Sequence, residues 1–490
     1  MKKLLLILTC VLLCPYLLNA GGIVTNTNQS ATWVRTMVRD ASTGIDAVYF
    51  NPAGLVKLND GFHFSLNNQT IFQNKDVTAN YPTLNPNPKE YKGDVKALVF
   101  PSAYAAWKKG RLAVSFGFNP VGGGGGAEYN DGLPSFEMPL SILPTVVGGA
   151  LTQLDQGIQL ATGVDPLLRN VTGYDAEIYF NGSSVFFGYQ LGLSFKITDM
   201  ISVAAGARYI TAKNTYEGYI RDIMIVAEPL NPALGGTVTP GNYLRTIGTT
   251  FGMDLTATAA MLDAQTTDKE VDVEEKGSGF TPFVGAHLSL LDDKLSIGLK
   301  YELKTKLELE TTVNDGKDGY GMFIQDSIVH SDMPAMLSVG IGYEIIDNLK
   351  AMVGFHYYFD KSANYGKTLD AEPTINVTND KVMDNNYFEI GLGLEYGITE
   401  NFCVSGGYLL ANSGVTEDYQ SDLSYSLNSN TFGLGVGIKI IDNLMVNLGG
   451  AYSIYKDGTK SGTYISSGLP YSYDLKKSNL IFGIGLDISF

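Results

Sequence analysis

The chain has 490 residues, a formal charge of −16, only 17% charged residues, 56 Gly and 29 Tyr. That acidity argues against a nucleic-acid partner, since phosphate contact needs the opposite sign. Of its three cysteines only Cys403 lies beyond the leader, so no intrachain disulfide is available after processing.

Met1-Lys2-Lys3, the apolar run Leu4 to Leu13 and the small residue Ala20 form a secretory signal peptide over residues 1–20, cut near Ala20. No later run of about 20 apolar residues offers a helical membrane span. Residues 21–60 do not alternate. They hold Trp33, Val34, Met37, Val48, Tyr49, Phe50 and Leu55, too much apolar surface for a disordered leader, and Pro52 and Gly54 forbid a continuing ladder. The segment reads as a compact plug.

From Phe62 onward the chain alternates with period two, the mark of a strand with one apolar and one polar face. Leu295 to Leu309 is the clearest case: leucines, Ile297 and Tyr301 at odd positions, Lys300, Glu302, Lys304 and Lys306 at even ones. About fourteen such stretches run from Phe62–Phe72 to Lys477–Phe490. Six tight connections, such as Ile346-Asp347-Asn348 and Ile441-Asp442-Asn443, alternate with long ones. A soluble sandwich has no reason to sort its loops this way. The fold class expected is all-β, a transmembrane antiparallel β-barrel over residues 61–490 in the outer membrane of a Gram-negative cell, meeting lipid and lipopolysaccharide and functioning as a monomer. Its last strand ends on the aromatic Phe490, the expected handle for the barrel-assembly machinery.

Two long loops, 120–183 and 218–279, carry apolar residues at helical spacing, which fits loop packing or a landing groove for a hydrophobic ligand. The third strand is interrupted by Asn119-Pro120 and then Gly122 to Gly126. Proline removes a ladder donor and a glycine run does not hold a flat strand, so a lateral opening is expected at Asn119, Pro120, Gly122 and Gly123; an ordinary strand end is the alternative. No helix opens after these glycines, so they are not read as a phosphate cradle.

Parity puts Arg208, Lys300 and Lys304 on the lumen face, where they would grip a ligand carboxylate or join Glu302, Glu389 and Glu395 in an internal salt-bridge belt. The four histidines have no ligand spacing, although His356 faces the lumen and keeps a haem receptor as an alternative. No nucleophile–base pair or carboxylate dyad stands out. No enzyme, metal or cofactor is expected.

Asn51-Pro52-Ala53-Gly54-Leu55 near the mature N-terminus, the break at Asn119-Pro120, and Asp332-Met333-Pro334-Ala335-Met336 opening a strand together resemble the FadL/TodX family of outer-membrane hydrophobic-compound transporters. The resemblance implies a fourteen-stranded barrel closed by an N-terminal hatch that carries Asn51, Pro52, Ala53 and Gly54. Ligand (a long-chain fatty acid, detergent or aromatic hydrocarbon) would be captured by outer loops, held in a lumen pocket and released sideways at Asn119, Pro120, Gly122 and Gly123. A non-specific porin and a structural surface barrel are the remaining alternatives.

Overall fold

The computed structural model describes residues 23, 25–319, 321–369 and 372–490; the signal peptide expected over residues 1–20 lies outside the described residues. Its wall is a closed 14-strand antiparallel barrel. The first seven strands are β1 Gly61–Asn80, β2 Lys89–Lys109, β3 Leu112–Tyr129, β4 Val171–Lys196, β5 Ile201–Ala227, β6 Lys269–Leu290 and β7 Leu295–Glu302. The other seven are β8 Met336–Ile346, β9 Leu349–Tyr358, β10 Phe388–Thr399, β11 Phe402–Asn412, β12 Ser429–Ile441, β13 Leu444–Tyr455 and β14 Leu469–Ser489. β14 closes on β1 from His63↔Ser489 to Asn80↔Ser472. Closure leaves no sheet edge, as a chain surrounded by lipid requires. At the tight-turn end Phe490 exchanges backbone hydrogen bonds with Phe62, and its ring lies edge-on to Phe64.

Every expected strand is found except Lys294–Thr312, which divides in two, and several run much further outward. β5 is 27 residues long and β4 is 26, against the roughly 9–11 that cross a bilayer at a tilt. Loops expected over 120–183 and 218–279 therefore begin only after Tyr129 and Ala227, and the strands resume at Val171 and Lys269. The reason is a change of polarity. Low on β5 the outward residues are apolar (Ile201, Val203, Tyr209), whereas higher up the charged Lys213, Glu217 and Arg221 face out and Tyr216 and Ile220 face in. The inward apolar row supports a core under helices Leu143–Thr162 and Pro240–Phe251, with Val147, Leu151, Tyr243 and Ile247 packed on Ile223 and Ile225.

The Leu295–Leu309 ribbon is corrected. β7 stops at Glu302, and pairing resumes in a separate outer strand at Glu308. Pro282 on the neighbouring β6 has no N–H to donate, and Pro334 flanks the other side. Past the break the parity is lost: Leu307 and Leu309 turn inward and are fully buried.

Residues 30–57 lie inside the barrel as short turns. Ala31–Thr36 is a helix capped by the Ser30 hydroxyl, which accepts from Trp33 N at 3.0 Å. Ala47–Phe50 and the 3₁₀ turn Pro52–Lys57 follow, the latter capped by Asn51. The wall meets this segment through glycine. A Cβ on Gly298 or Gly340 would collide with Asp40, and one on Gly393 with the Thr36 carbonyl. These inward glycines make room for backbone contact. Gly298→Val is expected to leave the barrel heat-modifiable on denaturing gels while exposing residues 30–57 to protease; protection equal to the parent would show that the wall gives way instead.

Candidate functional site

The N-terminal segment is held by buried ionic groups supplied by several wall strands. Alternation on β5 and β7 aims Arg208, Lys300 and Glu302 inward at one level. Arg208 grips both oxygens of Glu302 at 2.8 and 2.9 Å and donates to Gln190 Oε1 at 2.7 Å. Lys300 Nζ lies 2.6 Å from Glu302 Oε1 and donates to the Tyr49 carbonyl, and both cations face the Tyr49 ring at 5.0 and 4.8 Å. The structure thus brings Arg208 and Lys300 together, but onto Glu302 rather than an open lumen. Lys304 is not with them. It follows the break in β7, is partly exposed, and pairs with Asp332 at 3.5 Å, which corrects the parity assignment.

His356 also turns toward the N-terminal segment. Its Nε2 is 2.6 Å from Asp40 Oδ1 and its Nδ1 is 2.8 Å from Glu389 Oε2. With both ring nitrogens engaged by carboxylates, none faces a metal, so the geometry counts against haem ligation. Arg35 meets Glu395 and donates to Ser405 Oγ at 2.9 Å. Within the segment, burial would raise the Asp46 carboxyl, but the Arg39 guanidinium at 2.6 Å and the Ser42 and Ser30 hydroxyls hold it below the usual carboxylate range.

Asn51, Pro52, Ala53 and Gly54 form the foot of this segment. Asn51 Nδ2 donates to the Ala286 carbonyl at 2.9 Å, while Ser194 and Ser202 donate to the Pro52 and Ala53 carbonyls at 2.6 and 2.7 Å. Gly54 is packed on Ser42, where a Cβ would collide with its carbonyl. These residues anchor the segment to β4, β5 and β6.

Asn119, Pro120, Gly122 and Gly123 border a gap in the wall. β2 and β3 pair from Lys109↔Leu112 up to Ala103↔Phe118, and again from Val95↔Ala127 outward. Residues 96–102 and 119–126 do not pair with each other. On its other side β3 stays joined to β4, with irregular register at Pro120↔Phe187, Gly122↔Phe186 and Gly125↔Ser184. Gly123 and Gly125 have φ of +100° and +72°, which supplies the puckering that a side chain would oppose. Across the gap Leu98 and Val99 are 61% and 72% exposed on the outside.

From inside, the stretch just before the first helix covers this seam. Thr25 bridges Gly122, Asn26 N donates to the Val121 carbonyl at 2.9 Å, and Asn26 Nδ2 donates to the Gly123 carbonyl at 3.1 Å. Gln29 Nε2 donates to the Pro120 carbonyl at 2.8 Å, and Ser102 and Tyr104 on the opposite lip each donate to the Gln29 carbonyl at 2.7 Å. Left without such partners, the carbonyls of Pro120, Val121 and Gly123 would be costly at a lipid-facing seam. Tyr49 OH donates to the Asn26 carbonyl at 3.0 Å and Thr27 Oγ1 to Glu389 at 3.2 Å, so the seal is wired to both ionic groups.

Behind the seal lies a cavity of about 240 Å³, walled by Trp33, Ile71, Phe100, Leu409 and Ile481 and reaching Gly123–Gly125 on one side and Lys477 on another. Its polar lining includes Glu389 and Asn479. Thr25, Asn26, Gln29 and Trp33 belong to the non-alternating stretch, where no spacing marks a partner. Their role was not readable from the sequence.

A family model described as an outer membrane protein transport protein (OMPP1/FadL/TodX) matches residues 182–490. No curated protein matches the chain. Among solved structures, a Pseudomonas aeruginosa FadL homologue is 13% identical, with 96% of this chain and 100% of that one covered and a TM-score of 0.60. The Pseudomonas putida toluene transporter TodX is 13% identical over 96% of each chain, TM-score 0.51, and the Ralstonia pickettii toluene transporter TbuX is 16% identical over 91% and 94%, TM-score 0.50. At such identities the likeness is one of fold.

Proposed function

This chain belongs to the FadL/TodX family of outer-membrane transport proteins, and from that premise we propose that it admits hydrophobic small molecules passively and releases them sideways. Its outer-membrane setting follows from barrel and family. The ligand class we favour is a long-chain fatty acid or a similar hydrophobic compound; the toluene transporters among its structural neighbours make aromatic hydrocarbons the second choice. Ligand enters among the outer loops, settles in the cavity beside Trp33, and leaves between β2 and β3 once Thr25 to Gln29 lift from the seam. Two lines of support meet at one place. The wall lacks its ladder between residues 96–102 and 119–126, and the cavity opens onto that stretch.

The seal can be tested by locking it. Thr25 and Gly122 are bridge partners, and such partners have Cα atoms about 4.5–5.5 Å apart, within disulfide reach. In a Cys403→Ser background, Thr25→Cys with Gly122→Cys is expected to block uptake of a labelled fatty acid by cells when oxidised and to restore it on reduction. Equal uptake in both states would discard the lateral route, with the reduced form serving as its own folding control.

A further inference from the structure

Beside the cavity, which Lys477 lines, stands a group of lysines that the transport path does not use. β1 and β14 set Lys75 and Lys477 directly opposite each other on the inner face, although like charges at facing positions repel. Lys367, from the loop after β9, is buried, and its ammonium donates to Ser424 Oγ at 3.2 Å. Each is laid on an aromatic face: Lys75 over Tyr425 at 5.2 Å, Lys477 over Tyr455 at 4.9 Å and Lys367 over Tyr419 at 4.1 Å. Cation–π contact lets a lysine be enclosed without neutralising it. Among the described residues none of these three has a carboxylate within ion-pair distance. Glu389, the acid on the cavity wall, is already held by His356, Tyr358 and Tyr387.

Burial pushes the Lys367 ammonium down to about 7, and the nearby Lys460 and Lys75 add to the effect. An enclosed set of like charges is unfavourable unless something supplies the opposite sign. Two more groups at the same cavity are unsatisfied: Trp33 Nε1, on a side chain 4% exposed, and Asn479 Oδ1. Lys477 and Trp33 line this space together with Ile71, Leu409 and Ile481 and the hydroxyl-bearing Thr431 and Ser453, and Lys75 stands opposite Lys477 on the neighbouring strand.

We propose that Lys75, Lys367 and Lys477 form the head-group site for an amphiphile whose head carries two negative charges, an alkyl phosphate being the simplest, with its tail along Ile71, Leu409 and Ile481 toward the seam. A hydrocarbon leaves all three cations uncompensated, and a monocarboxylate leaves two. A phosphate offers three acceptor oxygens to three ammonium groups. This assignment rests on the uptake reading and narrows its cargo.

The test uses the full mature chain in a non-ionic detergent, with Trp107→Phe so that Trp33 is the single tryptophan reporter. Dodecyl phosphate is expected to shift its fluorescence at concentrations about tenfold or more below those of dodecanoate, with dodecanol weaker still. Lys75→Met with Lys477→Met should erase that order while leaving dodecanol unchanged, and the Lys→Arg pair should keep it. If dodecanoate or dodecanol equals dodecyl phosphate, the head-group assignment falls and the uptake reading stands. Inorganic phosphate acting at the same concentration as dodecyl phosphate would remove the amphiphile. If no probe reaches Trp33, the cavity is not a ligand site and both readings fall.

Discussion

Uptake is expected to drop about tenfold or more, to the level of cells lacking the protein, when Pro120→Val, Gly122→Thr, Gly123→Val, Gly124→Thr and Gly125→Val are combined. Proline withholds a ladder donor, and Gly123 and Gly125 sit at φ values that β-branched residues avoid. A Cβ on Gly123 would strike the Ser184 carbonyl, so the substituted strand cannot keep its pucker. Straightening offers its N–H groups to residues 96–102, which pair with β1 but have no partner on the side of β3. The wall then closes where the cavity now meets it. Heat-modifiable mobility on denaturing gels reports that the barrel still forms. Undiminished uptake by a correctly folded variant would mean that cargo leaves by another path.

The second large effect concerns the ionic anchor. Arg208→Met with Lys300→Met leaves the Glu302 carboxylate buried between β6 and β8 with no cation, and removing the partners of a buried charge typically costs about 3–5 kcal/mol. The loss falls on the contact between wall and N-terminal segment, because Lys300 also donates to the Tyr49 carbonyl and Tyr49 in turn holds Asn26. The closed barrel has its own backbone ladder and survives. We expect the double variant to gain discrete single-channel conductance and to admit large antibiotics that the parent excludes. Adding Glu302→Leu, which replaces the orphaned charge by an apolar side chain, should reduce both. Conductance equal to the parent in the double variant would show that the glycine-floored contacts alone hold the segment. A general porin, by contrast, would conduct before any substitution.

How much of this was legible beforehand differs from residue to residue. The wall was, because burial against lipid imposes a two-residue period that Phe482, Ile484 and Leu486 state openly. So was the seam, since Pro120 and the glycines after it act on the backbone itself and need no partner to do so. The outer strand extensions were missed because apolar-outward is the signature of lipid contact only; beyond Glu217 the charged Arg221 faces out while Ile220 faces in, so the same alternation carries the opposite sense. Lys304 was misplaced for a related reason, as parity holds only while the ladder is continuous.

By itself the sequence determined the barrel, its tight-turn end, the break in β3 and the presence of inward charges, all of which follow from local periodicity or from backbone chemistry. Only the tertiary structure decided what meets those charges: Glu302 for Arg208 and Lys300, Asp40 and Glu389 for His356, and no carboxylate among the described residues for Lys75, Lys367 and Lys477. It alone showed that Thr25 to Gln29 seal the gap, a hydrogen-bonded match between stretches about ninety residues apart. Alternation fixes which face a side chain points to, but pairing across a lumen depends on how a closed cylinder brings distant strands to one level, and no spacing along the chain encodes that distance.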